Sequence, residues 1–299
     1  MNLPSVVPLV SIGLPVYNGE RFIARALDAL LAQTIGAFEL LISDNASTDG
    51  TRLICESYAR RDPRIRYVRS KANAGVEANF KNVLDRATGE FFMWAACDDW
   101  WAADFTSRLV DALRRQPDAV VAMSAVERVN EMGHRLDVVR HPGGRDPSRL
   151  TRRQLAFELA GGRPYHLFVY GVYRTAFVKR VFTGFAPVVA ADRLFMVRVA
   201  LCGGFAYVDD VLHRRLVRQA PLAERYADEG IGHLWQGAWS RWRLTMRAGP
   251  YLWRTPGLAA GARLWVAAIV LRFAQASLGH TFVQAGWMRR RTLPSTRVC

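Results

Sequence analysis

The sequence has almost no lysine: Lys71, Lys81 and Lys179 are the only three in 299 residues. Arginine therefore carries nearly all the positive charge of a chain whose formal net charge is +15. Cysteine is scarce too. Cys55, Cys97, Cys202 and Cys299 stand far apart, with no CxxC pair and no Cys/His cluster. That excludes the usual structural zinc patterns and a disulfide scaffold, and fits a reducing cytosol. No GxGxxG follows the first apolar run and no GxxxxGK[ST] occurs, so a dinucleotide fold and a P-loop are disfavoured. Long apolar runs are missing as well. The longest in the C-terminal part, Leu264–Leu271, is too short to cross a bilayer and is bounded by Arg263 and Arg272. The opening MNLPSVVPLV lacks a basic segment and a long apolar stretch, so no signal peptide is expected.

What is present is a core-forming chain: 51% of residues are hydrophobic, which rules out disorder. Its length suits one large core, or one core plus an appendage. The first hundred residues alternate strand and helix patterns with short turns. Leu9–Leu14, Phe38–Ser43, Ile65–Val68 and Phe91–Cys97 read as strands, and helical spacing follows each of the first three. Such βαβ repetition predicts an α/β fold with a mostly parallel, doubly wound sheet flanked by helices. Three strand ends carry polar clusters, at Pro15–Asn18, Asp44–Asn45 and Asp98–Asp99. In a parallel sheet these ends share one edge, where ligands bind.

Phe91–Trp101, FFMWAACDDWW, is the stretch on which the others converge. It is an apolar strand that runs into Asp98 and Asp99. Two adjacent carboxylates repel, and a bound Mg²⁺ or Mn²⁺ would hold both ionised. The other reading is a solvated acidic turn or a helix cap. Cys97, beside the pair, reads as a small buried hydrophobe.

The segments LVSIGLPVYNGERFIARALDALLAQT, FELLISDNASTDGT, NAGVEANFKNVLDRATGE and MWAACDDWW, in this order and spacing, resemble the family-2 glycosyltransferases of the GT-A fold. The resemblance runs from Leu9 to about Val217. It implies a nucleotide-diphosphate sugar donor, a divalent metal on a DxD motif, and a single displacement that inverts the anomeric carbon. Carried over position by position, Pro15, Tyr17 and Asn18 line the nucleotide pocket. Asp44 and Asn45 match a pair that is often two aspartates, so Asn45 leaves the base open. Asp98 meets ribose or metal, and Asp99 the metal. The motif reads Cys97-Asp98-Asp99, without the first acid of a strict DxD. Asn73 and Asn79 either support the site or are ordinary turn and helix residues.

Beyond Trp100 the sequence predicts a helix over Trp100–Arg115, strands at Ala119–Val129, Arg135–Val139 and His166–Arg174, a loop at His141–Ser148 and a helix at Thr151–Ala160. Asp192 opens a helix, Leu194–Cys202, where a carboxylate suits the helix dipole. The segment ADRLFMVRVALCGGFAYVDDVLHRRL resembles the family's stretch that carries the catalytic base, which gives Asp192 that role. Asp209-Asp210 is expected on a turn before a strand at Val211–Leu216. Arg214, Arg215 and Arg218 suit a leaving diphosphate, Arg215 foremost.

From Tyr226 onward ten arginines face only Asp228 and Glu229, a net of +8. Six tryptophans interleave with them: Trp235, Trp239, Trp242, Trp253, Trp265 and Trp287. Either these helices lie on a membrane, helped by Met288–Arg291, or they pack on the core with solvated arginines. No nucleic-acid module is recognisable. The expected organisation is a catalytic domain over 1–225 and a C-terminal helical appendage over 226–299. The expected activity is metal-dependent transfer of a sugar to a glycan or lipid-linked acceptor, in the cytoplasm, with contact to the inner membrane face. The alternatives are a sugar nucleotidyltransferase of similar architecture and a non-catalytic membrane or polyanion-binding protein. The first would want a basic, Gly-rich first loop, and Pro15–Glu20 holds no Arg or Lys.

Overall fold

The computed structural model describes residues 7–140, 145–161, 165–186, 188, 190–218 and 239–284. The expectations placed on MNLPSV, on Trp235 and Trp287, on the 141–144 part of the Gly-Pro loop and on Met288–Arg291 lie outside these residues. The first four strands are β1 (Val10–Val16), β2 (Phe38–Asp44), β3 (Ile65–Arg69) and β4 (Phe91–Trp94). Between them run α1 (Ile23–Leu31), α2 (Thr51–Arg61) and α3 (Val76–Arg86). The second half begins with β5 (Trp100–Trp101), α4 (Phe105–Arg115), β6 (Ala119–Val129), β7 (Arg135–Val139) and α5 (Arg152–Ala160). It continues through β8 (Val172–Arg174), α6 (Thr175–Val181), α7 (Ala191–Cys202) and β9 (Gly204–Leu216) to the helices α8 (Trp239–Trp253) and α9 (Ala260–Gln284).

One nine-stranded sheet runs β3-β2-β1-β4-β8-β6-β9-β5, with β7 beside β6. β1 pairs in parallel with β2 and β4, and β2 with β3. β8 enters antiparallel to both β4 and β6, and β9 returns parallel to β6. The sheet is therefore mixed in its second half, and the architecture is the expected α/β type. Alternation along β4 shows why it is covered on both faces. Phe91 and Met93 join a core shared with α1 and α4, while Phe92 and Trp94 join the opposite core with α3, α5 and α7. Trp94 centres that second core. Its ring meets Phe92 edge-on at 4.9 Å and Phe182 at 5.1 Å, and its Nε1–H donates to the Phe80 carbonyl at 3.1 Å. Each such ring pair contributes roughly 0.5–1.5 kcal/mol beyond area burial.

Several boundaries differ from the sequence reading, four of them near the acid pair or in the second half of the sheet. The acid-bearing strand ends at Trp94 rather than Cys97, because Asp99 N–H turns back to the Ala96 carbonyl. Trp100-Trp101 is not helical: it pairs with Arg214 and His213 of β9. Residues 165–170 form a 3-10 turn, so only Val172–Arg174 of the expected His166–Arg174 strand pairs. Gly171 allows this join, since a Cβ there would sit 2.4 Å from the Ala122 carbonyl oxygen. Asp209 and Asp210 lie inside β9 as a bulge between partners Ser124 and Ala125, not on a preceding turn. Both are exposed and paired with arginines, Asp209 with Arg140 and Asp210 with Arg108.

At the edge away from the acid pair, Glu39 is buried and accepts from Ser11 Oγ (2.7 Å), Thr88 N–H (2.8 Å) and Arg66 Nη1 (3.0 Å). Burial opposes its ionisation, but these donors hold its carboxyl below the usual glutamate value. The C-terminal hairpin packs on the core. Buried Arg198 of α7 donates to the Tyr251 carbonyl (2.6 Å) and to Thr183 Oγ1 (2.6 Å), with its guanidinium over the Tyr251 ring. Among the described residues no helix is long and apolar enough to cross a membrane.

Candidate active site

The C-terminal ends of β1, β2 and β4 lie side by side, with Val16 opposite Asp44 and Gly13 opposite Trp94. Asn18 sits in the left-handed region at φ 50°, which Asn tolerates better than most residues. Its N–H donates to Ser47 Oγ (3.0 Å), and its Oδ1 accepts the Thr48 N–H (2.8 Å). The first two loops are thus laced together. Gly19 brings them to the acid loop: a Cβ there would lie 3.2 Å from Cys97 Sγ.

Asp44 is fully enclosed. It accepts Ser47 N–H (2.8 Å) and Tyr67 O–H (2.7 Å) and pairs with Arg69. Asn45 is also buried. Its amide donates to Asn73 Oδ1 (2.7 Å) and the Gly75 carbonyl (3.1 Å), and its Oδ1 accepts the Ala74 N–H (2.9 Å). Asn45 and Asn73 thus build the turn before α3. Asn79, buried, donates to the Val16 carbonyl (3.2 Å). Pro15 and Tyr17 are half-buried at the mouth, and Tyr17 makes no hydrogen bond among the described residues.

The two acids differ. Asp99 is 2% exposed; its Oδ2 meets His213 Nε2 at 2.8 Å and its Oδ1 accepts the Leu216 N–H at 3.2 Å. The His213 ring is stacked on Trp101, 5.5 Å between centroids. Asp98 is more open and pairs with Arg218 Nη2 at 2.8 Å. Burial and the Asp99 charge push its carboxyl above the usual aspartate value, against the pull of Arg218 and Arg215.

Arg215 lies across this floor. Its Nη1 is buried with no hydrogen-bond partner among the described residues, and its guanidinium packs 5.8 Å from the Tyr170 ring. Burial works against its charge, but Tyr170, Asp99, Asp192 and Asp98 together hold it above the usual value. Arg215 adjoins Leu216, whose N–H holds Asp99, so the guanidinium shares its floor with the acid pair. Asp192 is half-exposed in the first turn of α7, behind Ala190 in the left-handed region at φ 61°. Its Oδ1 accepts the Arg193 N–H at 2.7 Å.

Among the described residues no three His, Cys, Asp or Glu side chains gather as a metal cage. Asp99 accepts one hydrogen bond on each oxygen and Asp98 pairs with Arg218 through Oδ2, so each carboxylate keeps lone pairs for an ion. One or two carboxylates fit the way Mg²⁺ binds with substrate phosphates and waters completing its shell.

A sequence profile described as Glycosyl transferase family 2 matches residues 11–182. The chain belongs to that family. EpsJ, an uncharacterised glycosyltransferase of Bacillus subtilis, is 34% identical over 116 residues, 38% of this chain and 33% of its own length. TuaG of Bacillus subtilis, named for teichuronic acid biosynthesis, is 36% identical over 97 residues, 32% of this chain and 38% of its own length. The matches thus span about a third of the relatives' length. Among solved structures, S. aureus TarS with UDP-GlcNAc superposes at a TM-score of 0.68 and 17% identity, covering 95% of this chain and 76% of that one. A Pyrobaculum calidifontis mannosyltransferase with GDP-Man and Mn²⁺ gives 0.57 at 18% identity, covering 94% and 80%. These likenesses show the GT-A fold.

In this family-2 glycosyltransferase, sequence reasoning passed over His213 and Tyr170. Neither has a local signal. His213 becomes the partner of Asp99 only because β9 pairs with a two-residue strand more than a hundred residues earlier.

Proposed function

We propose that the protein is an inverting glycosyltransferase that moves a sugar from a nucleoside-diphosphate sugar to an acceptor hydroxyl of a glycan or lipid-linked polysaccharide precursor, at the cytoplasmic membrane face. The observation that carries this reading is the unpartnered, buried Arg215 Nη1 beside the Tyr170 ring, on the stretch of β9 whose Leu216 N–H holds Asp99, at the sheet edge where ligands bind. A buried guanidinium with an open donor suits one oxygen of a diphosphate.

Each residue then has a role. Tyr17 presents a ring to the base, with Pro15 and Asn18 around it. Asp44 and Asn45 fix the loop that shapes the base pocket. Asp98 and Asp99 hold Mg²⁺ or Mn²⁺, which when bound neutralises charge on the diphosphate. Asp99 and His213 anchor the end of β9, so that Arg215 and Arg218 face the leaving group. Asp192 accepts the proton of the acceptor hydroxyl as its oxygen attacks the anomeric carbon. The C1–O bond to the diphosphate breaks as the new one forms, and the anomer inverts. Arg215 stabilises the developing negative charge.

A thermal-shift panel of UDP-, GDP-, CDP- and dTDP-sugars with and without Mn²⁺ tests the donor site. One nucleotide class stabilises the protein, by about 2.7 kcal/mol at a hundred times its dissociation constant. No stabilisation by any of them, or stabilisation that survives Arg215→Ala unchanged, rejects the assignment.

A further inference from the structure

α9 buries one stripe, Ala262, Val266, Ile269, Phe273 and Ser277, spaced as one face of a helix against the core. Its opposite side is apolar too. Leu264 is 80% and Leu271 60% exposed, Ala267 and Ala268 are exposed between them, and Arg263 and Gln275 are the only polar residues among the exposed positions from 260 to 275. A helix on the surface of a water-soluble domain normally turns charge outward, and one apolar all round is normally covered. α8 extends the patch with Met246 (63% exposed) and Trp253 (54% exposed). Trp253, Pro250, Leu264 and Ala267 line a shallow groove between the helices, together with Arg254 and Arg263.

Charge decides what covers this face. From Trp239 to Gln284 there are six arginines and no Asp or Glu. Arg247, Arg254 and Arg263 are exposed around the apolar positions. A second copy docking the same hairpin here would set arginine against arginine, since that hairpin carries no carboxylate, in a chain already at +15. Anionic headgroups supply the missing counter-charge, and the acyl boundary takes Trp and Leu. We propose that the outward face of the α8–α9 hairpin docks on anionic lipid bilayers. The helices lie along the surface, with Met246, Trp253, Leu264 and Leu271 inserted and Arg247, Arg254 and Arg263 at headgroup level. The inference deepens the membrane location in the proposed function and rests on that location alone, while the sugar site on a separate face is tested by nucleotide-sugar binding.

The test is flotation of the full chain with vesicles of phosphatidylcholine alone or mixed with phosphatidylglycerol. Binding is expected only to the mixed vesicles, weakened by salt. The doubly substituted Leu264→Asp/Leu271→Asp protein is expected to bind at least about tenfold more weakly. Its melting curve and its nucleotide-sugar binding should match the parent. If that variant does not fold, Arg254→Glu/Arg263→Glu serves in its place and loses the same binding. Absence of binding to the mixed vesicles overturns the proposal, as does binding untouched by both pairs of substitutions. A dimer in sedimentation that Leu264→Asp/Leu271→Asp dissolves assigns the face to a second copy instead.

Discussion

Asp44 ends β2 and Asp98 follows β4, the two strands that flank β1, yet their surroundings are opposite. Asp44 is sealed under Ser47, Tyr67 and Arg69, with no exposed surface. Asp98 stays partly open and shares its space with Asp99, Arg215 and Arg218. The first side of the cleft is closed on itself. The second holds an unpaired donor, a carboxyl with a raised pKa and a half-exposed aspartate. A polar group whose bonds are complete fixes shape; one left incomplete is where a ligand finishes the structure.

Substitutions sort along that division. The largest effect belongs to the open side. Asp192→Asn is expected to lower the rate of sugar transfer about 10²–10⁴-fold while donor affinity, read by titration, holds. Normal turnover would remove Asp192 as the base.

Next come the twin acids. Asp99→Ala strips the hydrogen-bond partner from buried His213 and from the Leu216 N–H and is expected to cost about 1.5–3 kcal/mol per bond in denaturant unfolding. Asp98→Asn should do the reverse. Its carboxyl is raised, so its stabilising contribution is present at low pH and lost as pH climbs through the raised value. At neutral pH the Asn variant therefore keeps or gains stability while cation-dependent donor binding drops. Equal stability losses for the two variants would show that both acids are anchored alike.

Glu39→Gln probes the sealed side. The lowered carboxyl contributes stability above the ordinary value of 4.5, and that contribution fades as pH falls through its depressed one. The variant should be about 1.5–3 kcal/mol less stable at pH 7, with the gap closing in acid melts. Smallest is Asn45→Ala, at about 1 kcal/mol of unfolding free energy with nucleotide preference unchanged. A switch of preferred base would show that Asn45 reads the ligand after all.

The sealed half was also the legible half. β1, β2 and β3 are hydrophobic runs bounded by turn residues, and their order alone predicts neighbours in a parallel sheet. The open half hid its logic in long-range pairing. Trp100-Trp101 looked helical because its partner strand lies over a hundred residues away. His166–Arg174 looked like one strand until Tyr173 and Trp94 packed together, 5.6 Å between centroids, and left 165–170 as a tight turn. The acid pair was found by its composition, but which of the two is anchored depends on His213 and the Leu216 amide, and neither carries a local signal.

Arg198 and Tyr251 bind the last two helices to the helix that carries Asp192, although the family profile stops at residue 182. A gene trimmed after the last strand, at residue 218, would leave the Arg198 guanidinium bare and the seats of Leu244, Leu252, Ile269 and Phe273 facing water. Its product is expected in inclusion bodies, whereas the full chain is recovered in the supernatant. What evolution repeats and what the chain folds as a unit need not end at the same residue.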